Sequence, residues 1–506
     1  MSATPQFVPT NNTQWTNRHD TFTQQIDNLY DCINSDTGTV LEDYNKMTKA
    51  IQDMMGNVLV SQKRMKVLGG GWSFTKIATT EGWMFDSKQM NLCFPITGGS
   101  IHNDYKGAKD QLFFAQCGVS VKELNEALRE KKRSLKTSGA SNGQTIVGAI
   151  STATHGAAID FGATQDFVVG LHIIISSDKH IWLERKSYPV VSTNFLKKIG
   201  AELRNVDDDE FNSAIVSFGS FGFIHGVMIE TEPLYLLEAF RRRVSLIDLK
   251  NLLNTLDFSN LPYAPHNERP FHFQWVLNPY DVDAGVYVTV MYKRPYRADY
   301  VPALPDPNMA GPGDDLPMVI GKMTDLFPTI TPTVVNLVFK ASYTPFENEW
   351  GTLSEIFYNS DMRGKVASAA IAIPAANVWQ FNELLMELND RHGPFGGVFS
   401  YRYIKGSKAI LGFGIFDQTC VVELDAVNSS ATLAFYKVVW DALDEKGIPH
   451  TFHWGKMNNL TASVIKKMYG TRVDKWLKAR KAILPPESIE LFNNEILEAW
   501  GLDAKS

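Results

Sequence analysis

Cysteine is scarce in this chain. Cys32, Cys93, Cys117 and Cys420 are the only four among 506 residues, and no two stand at CxxC spacing. Scattered singletons make neither a metal signature nor a disulfide framework, so no metal is expected, and a reducing compartment is. Long apolar runs are missing too. No eighteen consecutive apolar residues occur, so nothing reads as a membrane-spanning helix. The opening MSATPQF is polar and lacks the apolar stretch of a secretory signal, which makes the cytoplasm the expected address. Positive charge is not in excess: 49 Lys and Arg against 55 Asp and Glu leave a net charge of −6. Nucleic acid is excluded as the main partner, because phosphate neutralisation needs a concentrated basic face. The one dense basic run, residues 130–133 (EKKR), follows an amphipathic stretch and reads as a solvated helix end.

Small residues are concentrated where chemistry needs them. Residues 143–156 read GQTIVGAISTATHG, and residues 69–74 read GGGWSF. Glycine lets backbone approach a flat or charged ligand closely, and amides with Ser and Thr hydroxyls can donate to phosphate or carbonyl oxygens. The GGGWSF loop follows a helix expected over 39–60 and a strand over 64–68, an order that presents backbone amides at a strand end. It lacks the third spaced glycine and the later acidic residue of a nicotinamide-binding fingerprint.

Further along, 113–118 and 167–176 read as buried strands, and Val121, Leu124, Ala127 and Leu128 repeat at helical spacing. Residues 217–230 (SFGSFGFIHGVMIE) place glycines among aromatics. Composition changes after Glu232-Pro233. Strands are expected at 271–276, 285–293, 365–373, 398–404, 409–416 and 419–424, with a helix marked by Val378, Phe381, Leu385 and Leu388. A Pro-, Asp- and Gly-rich loop over 297–317 interrupts them. Strands, one helix and more strands suggest a domain built on an antiparallel sheet with helices on one face. From 430 the chain turns helical, and residues 450–459 (HTFHWGKMNN) form an aromatic, histidine and lysine cluster unusual for a surface turn.

GGGWSF, GQTIVGAISTATHG, SFGSFGFIHGV and FHWGK, in this order, resemble the vanillyl-alcohol-oxidase (PCMH-type) FAD flavoprotein superfamily, and within it the aldonolactone and alditol oxidase branch. The resemblance implies an α+β fold. A two-part FAD-binding domain would span 20–235, a cap domain with a large antiparallel sheet flanked by helices 236–428, and a helical segment returning to the FAD domain 429–506. It implies that Gly69, Gly70, Gly71, Trp72, Ser73 and Phe74 wrap the pyrophosphate. Thr145, Gly148, Thr152, Ala153, Thr154 and His155 would line the diphosphate and ring, and Ile224 would contact the adenine side. His453 and Lys456 would reach the ring, Lys456 as the cation that stabilises reduced flavin. Arg402 would orient the substrate.

Three positions depart from the family pattern. Many relatives carry in the first loop a histidine bonded to the flavin; here Trp72 stands there, so non-covalent FAD is expected. Relatives that oxidise sugar lactones and polyols often carry Glu-x-Arg on a strand facing the flavin, whereas this chain reads Ser400-Tyr401-Arg402, with the carboxylate lost. Gly139, at a position that gates oxygen in some relatives, would leave that path open and favours oxygen as acceptor. The expected function is oxidation of an alcohol or lactol carbon by hydride transfer to FAD. One alternative is a flavin oxidase of an apolar or aromatic alcohol, with Trp275, Tyr287, Tyr401 and Tyr403 as a possible wall. The other is a flavin-binding protein without turnover. Ser400 reads as a strand residue rather than a nucleophile, and His225 and His272 as structural.

Overall fold

The structure is a computed structural model and describes residues 4–259, 265–266, 268–302, 331–358 and 366–504. The expected loop at 297–317 lies largely outside them.

Helix Val40–Val60 starts on a Thr39/Glu42 capping box and buries Tyr44, Met47, Ile51, Met55 and Val58, the spacing of a single apolar stripe. It leads into strand Met65–Leu68, the edge of a four-stranded sheet ordered Gln6–Pro9, Asn28–Ile33, Trp83–Gln89, Met65–Leu68. The GGGWSF loop leaves the end of that edge strand. A second sheet has six strands, ordered Glu202–Val206, His180–Arg185, Val168–Ile174, Phe223–Glu230, Leu112–Gln116, Cys93–Pro95. Its central strand Val168–Ile174 is buried at every position. That explains a nearly continuous apolar run with no alternation.

The third sheet is antiparallel throughout and has eight strands. Their order is Phe346–Gly351, Tyr235–Val244, Val286–Pro295, His272–Leu277, Gly397–Lys405, Gln418–Val427, Val366–Pro374 and Thr451–Phe452. Its two faces differ sharply. On one, Trp275 stacks on Tyr401 with ring centroids 3.6 Å apart. Tyr401 donates to Asn382 of helix Val378–His392, and Tyr403 to the Leu253 carbonyl of helix Leu246–Thr255. Those aromatics are core under helices, not a substrate wall. The other face carries a polar row: Arg241, Thr289, Gln274 and Arg402 follow one another in register across four strands, and Ser400 pairs with Glu423.

One expected strand is absent. Residues 409–416 form a turn-rich loop closed by Gly406 N–H to Asp417 O and Ser407 N–H to Gly414 O. Gly406 and Gly412 allow the chain to fold back on itself there: a Cβ at Gly406 would sit 2.7 Å from the Phe416 carbonyl oxygen. Apolar character at 409–416 reflects burial under this loop, not pairing.

The C-terminal helices tie back to the first two sheets. Trp476 donates to Val216 O, Arg480 to Ser220 O, and the Asn494 amide to the carbonyls of Lys76, Ile77 and Thr79. Among the described residues, no helix is long and apolar enough to cross a membrane.

Candidate active site

The two glycine-rich loops lie against each other. A Cβ on Gly69 would sit 2.2 Å from Thr145 Oγ1, and one on Gly70 2.7 Å from the Gly143 carbonyl, so only glycine permits this approach. Thr145 caps helix Ile146–Ser151 by accepting from the Gly148 N–H, and the Thr152 hydroxyl donates to Gly148 O. Between the loops opens a cleft of about 1650 Å³, the open solvent at its mouth included.

Gly69 through Phe74, Gly139, Thr145, Gly148, Thr152, Thr154, His155, Ile224, Arg402, His453 and Lys456 all line this cleft. Two of the expected residues do not. Ala153 is fully buried with φ of 59° and packs into the core beneath the loop. Ser400 is buried in the sheet, 3.5 Å from the Gln274 amide; it shares the polar face with Arg402 and Glu423 but does not reach the cleft.

The N-terminal arm docks here. Strands Gln14–Thr16 and Thr23–Gln25 form a hairpin whose turn grips the first loop. The Asn17 amide donates to Ser73 O at 2.9 Å, Arg18 N–H to Gly71 O at 3.0 Å, and Thr21 Oγ1 to Phe74 O. Arg18 lies over the Trp72 indole, and His19 stacks on Phe74. From the opposite side the C-terminal segment closes in: Phe74 N–H donates to Gly455 O at 2.7 Å, and Thr75 to Trp454 O.

The sequence reading missed the residue at the centre. Glu423, on strand Gln418–Val427, stands directly across the ladder from Ser400. It is 1% exposed, bonds Lys456 Nζ through Oε1, and holds Arg402 Nη1 at 3.3 Å through Oε2. The expectation that the site has lost its carboxylate therefore fails: the strand expected to carry it has serine, and the neighbouring strand supplies one at the same height. Burial pushes the Glu423 carboxyl up, but Arg402 and Lys456 together hold it well below the usual carboxylate range. Oε2 accepts no hydrogen bond and keeps capacity for a donor. Asp425, two residues on and bonded by Ser368, is instead pushed up by burial. Lys66 is a second omission. It is buried on the cleft floor and donates to the carbonyls of Phe218 and Gly219, and burial lowers its pKa.

Two histidines meet where the second loop faces the sheet. His155 and His453 lie with ring centroids 5.8 Å apart, flanked by Phe413. Burial lowers the His155 pKa to about 4, with Glu423 opposing and Lys456 and Arg402 adding. Burial also lowers His453, helped by His155 and Lys456.

The site fits FAD. Two loops that meet at Gly69 and Gly70, where no side chain fits, face one cleft, hydroxyls of Ser73, Thr152 and Thr154 line it, and Trp72 Nε1 is buried there without a partner. A buried Lys66 and a carboxylate outnumbered by cations suit a ligand carrying negative phosphates and an electron-accepting ring.

Comparison with known proteins agrees. Residues 46–184 match the FAD binding domain family, and residues 314–498 the D-arabinono-1,4-lactone oxidase family. An L-gulono-1,4-lactone dehydrogenase of Mycobacterium tuberculosis is 22% identical over 434 residues, covering 83% of this chain and 87% of that protein. A D-arabinono-1,4-lactone oxidase of Candida albicans is 27% identical over 214 residues, 41% of this chain and 34% of its own. Among solved structures, cholesterol oxidase from Brevibacterium sterolicum superposes with a TM-score of 0.67 at 12% identity, covering 98% of this chain and 97% of that one; this likeness concerns the fold. The two domain matches, in chain order and on either side of the cleft, make this chain an FAD-dependent oxidoreductase similar to the aldonolactone oxidases.

Proposed function

We propose that the protein oxidises a hydroxyl-bearing carbon, the alcohol or lactol carbon of a sugar lactone or polyol, to a carbonyl, with molecular oxygen as final acceptor. The observation that carries this reading is Glu423 held between Arg402 and Lys456 on the cleft wall. A buried carboxylate beside two cations suits a substrate rich in hydroxyls, and it is a poor partner for an apolar alcohol, whose burial would strand these charges. Bound FAD would supply a ring that accepts two electrons as hydride. Residues 69–74 and 139–155 would hold it, Ile224 would flank it, and His453 would contact it. Arg402 and Glu423 would orient the hydroxyls so that the C–H bond faces the acceptor, and Lys456 would set positive charge where negative charge develops. In this division of labour 20–235 binds the cofactor, 236–428 the substrate, and 429–506 closes the cleft. Trp72 leaves FAD non-covalent. Four free cysteines suit the cytoplasm.

The test is anaerobic mixing of the yellow protein with L-gulono-1,4-lactone, simple polyols and aromatic alcohols. Bleaching by the hydroxyl-rich compounds, then recovery of colour with hydrogen peroxide on admitting air, is expected. Bleaching by aromatic alcohols alone would shift the substrate class, and no bleaching by any would leave a binding protein. Acid precipitation should release the flavin. Flavin retained in the pellet would overturn the non-covalent reading and direct attention to His19, whose ring centroid lies 5.7 Å from that of Trp72.

A further inference from the structure

We propose that His155 accepts the proton of the substrate hydroxyl, and that Glu423 is the positioning residue that holds the imidazolium so formed. This rests on the hydroxyl-oxidation reading above and names the base that reading leaves open.

The argument starts from hydrogen positions. Nδ1 of His155 lies 3.0 Å from the carbonyl oxygen of Gly156. A carbonyl only accepts, so Nδ1 carries the hydrogen, and Nε2 of the neutral ring presents a bare lone pair. Nε2 faces Glu423 Oε1 at 3.9 Å. Both residues line the cleft, so a substrate hydroxyl donating to Nε2 would lie beside the carboxylate that Lys456 already bonds. His453 has the opposite tautomer: Gly455 N–H donates to its Nδ1 at 3.0 Å, so its hydrogen sits on Nε2 and it can donate but not accept. Three histidines line the cleft, His19, His155 and His453. Of these, His155 alone lies within 4 Å of a carboxylate among the described residues.

The other groups around it are worse bases. Arg402 does not deprotonate in proteins. Lys456 is tied to Glu423, and Glu423 is held ionised by two cations, which weakens its pull on a proton. The charged and titratable groups facing His155 are Glu423 and Arg402 from the sheet and Lys456 and His453 from the C-terminal segment. Burial keeps the ring in its neutral, proton-accepting form at neutral pH. Once protonated, the ring would face a carboxylate it previously only neighboured.

The step balances. The substrate O–H bond breaks and its proton forms an N–H bond at His155 Nε2. The O–H electron pair becomes the second bond of the carbonyl. Bound FAD would be the oxidant, supplying the ring that takes the C–H pair as hydride.

The experiment uses holoenzyme and follows flavin bleaching in single turnovers with L-gulono-1,4-lactone across pH. FAD content per chain and the affinity of the lactone's oxidised product, by calorimetry, are measured in parallel. His155→Gln should keep its FAD, bind the product within about threefold of wild type, bleach 10²–10⁴-fold more slowly, as loss of a general base does, and lose the acidic limb of the pH profile. Bleaching within about tenfold of wild type with the acidic limb intact overturns the proposal, as does a slow variant whose product affinity falls in proportion. If the variant releases FAD, Glu423→Gln decides. Removing the carboxylate removes what raises the His155 pKa, so the acidic limb must move to lower pH; an unmoved limb overturns the proposal. A wild type that no hydroxyl compound bleaches instead refutes the functional reading itself.

Discussion

The loops that cradle the cofactor and the polar face of the eight-stranded sheet border one cleft but are built in opposite ways. The loops are local: Gly69 through Phe74 and residues 139–155 each act as a short run whose lack of side chains is their function. The sheet face is assembled from distance. Arg402 and Glu423 sit on adjacent strands and Lys456 comes from a segment beyond them, so the charge cluster exists only once strand register is set. The first kind of site fails when atoms are added, the second when they are removed.

That contrast can be broken from either side. The largest effect is expected on the sheet. Glu423→Ala leaves two cations at a buried position without their anion, at a cost of about 3–5 kcal/mol. Calorimetry should show a fall of many degrees in the unfolding temperature, while Glu423→Gln, keeping the volume, falls less. If Glu423→Ala melts like wild type, the cluster is not a single unit. Acid comes next. His155 and His19 have pKa values of about 4, and His225 and His272 of about 3, in each case chiefly through burial, against an unfolded value of about 6.5. A group whose folded value is depressed binds fewer protons when folded. Its stabilisation is therefore whole above pH 6.5 and drains away as pH falls toward 4 and below. The melting temperature should drop steeply over that window, and a flat profile would mean these rings are wetter than they look.

On the loop side, Gly69→Ala forces a methyl to within 2.2 Å of Thr145 Oγ1. Overpacking of about 1–3 kcal/mol should appear as a five- to hundredfold loss of FAD affinity by fluorescence titration. Smallest is Asn17→Ala, which removes the hairpin's bonds to Ser73 O and from Thr21 N–H. At about 1 kcal/mol, FAD affinity should fall several-fold and the melting temperature by only a few degrees.

Legibility followed the same division. Each glycine-rich loop could be recognised alone, because closeness in sequence is closeness in space there, and the expected lining residues reach the cleft except Ala153 and Ser400. Ser400 stands where the family pattern places glutamate. Glu423 is invisible to that pattern: a strand is expected at 419–424, but nothing in a single sequence states which residue of one strand stands beside which of the next. Likewise 409–416 looked like a strand because burial leaves the same apolar pattern in a folded-back loop as in a paired one. The docking of the hairpin depends on bonds such as that from the Asn17 amide to Ser73 O, which join residues far apart in the sequence.

The Asn494 amide, clasping three carbonyls just past the first glycine loop, has a consequence for how the protein is made. The loop leaves the ribosome some four hundred residues before its fastener. The dinucleotide cradle therefore cannot lock until residue 494 has been made, and chains cut short of it should emerge colourless.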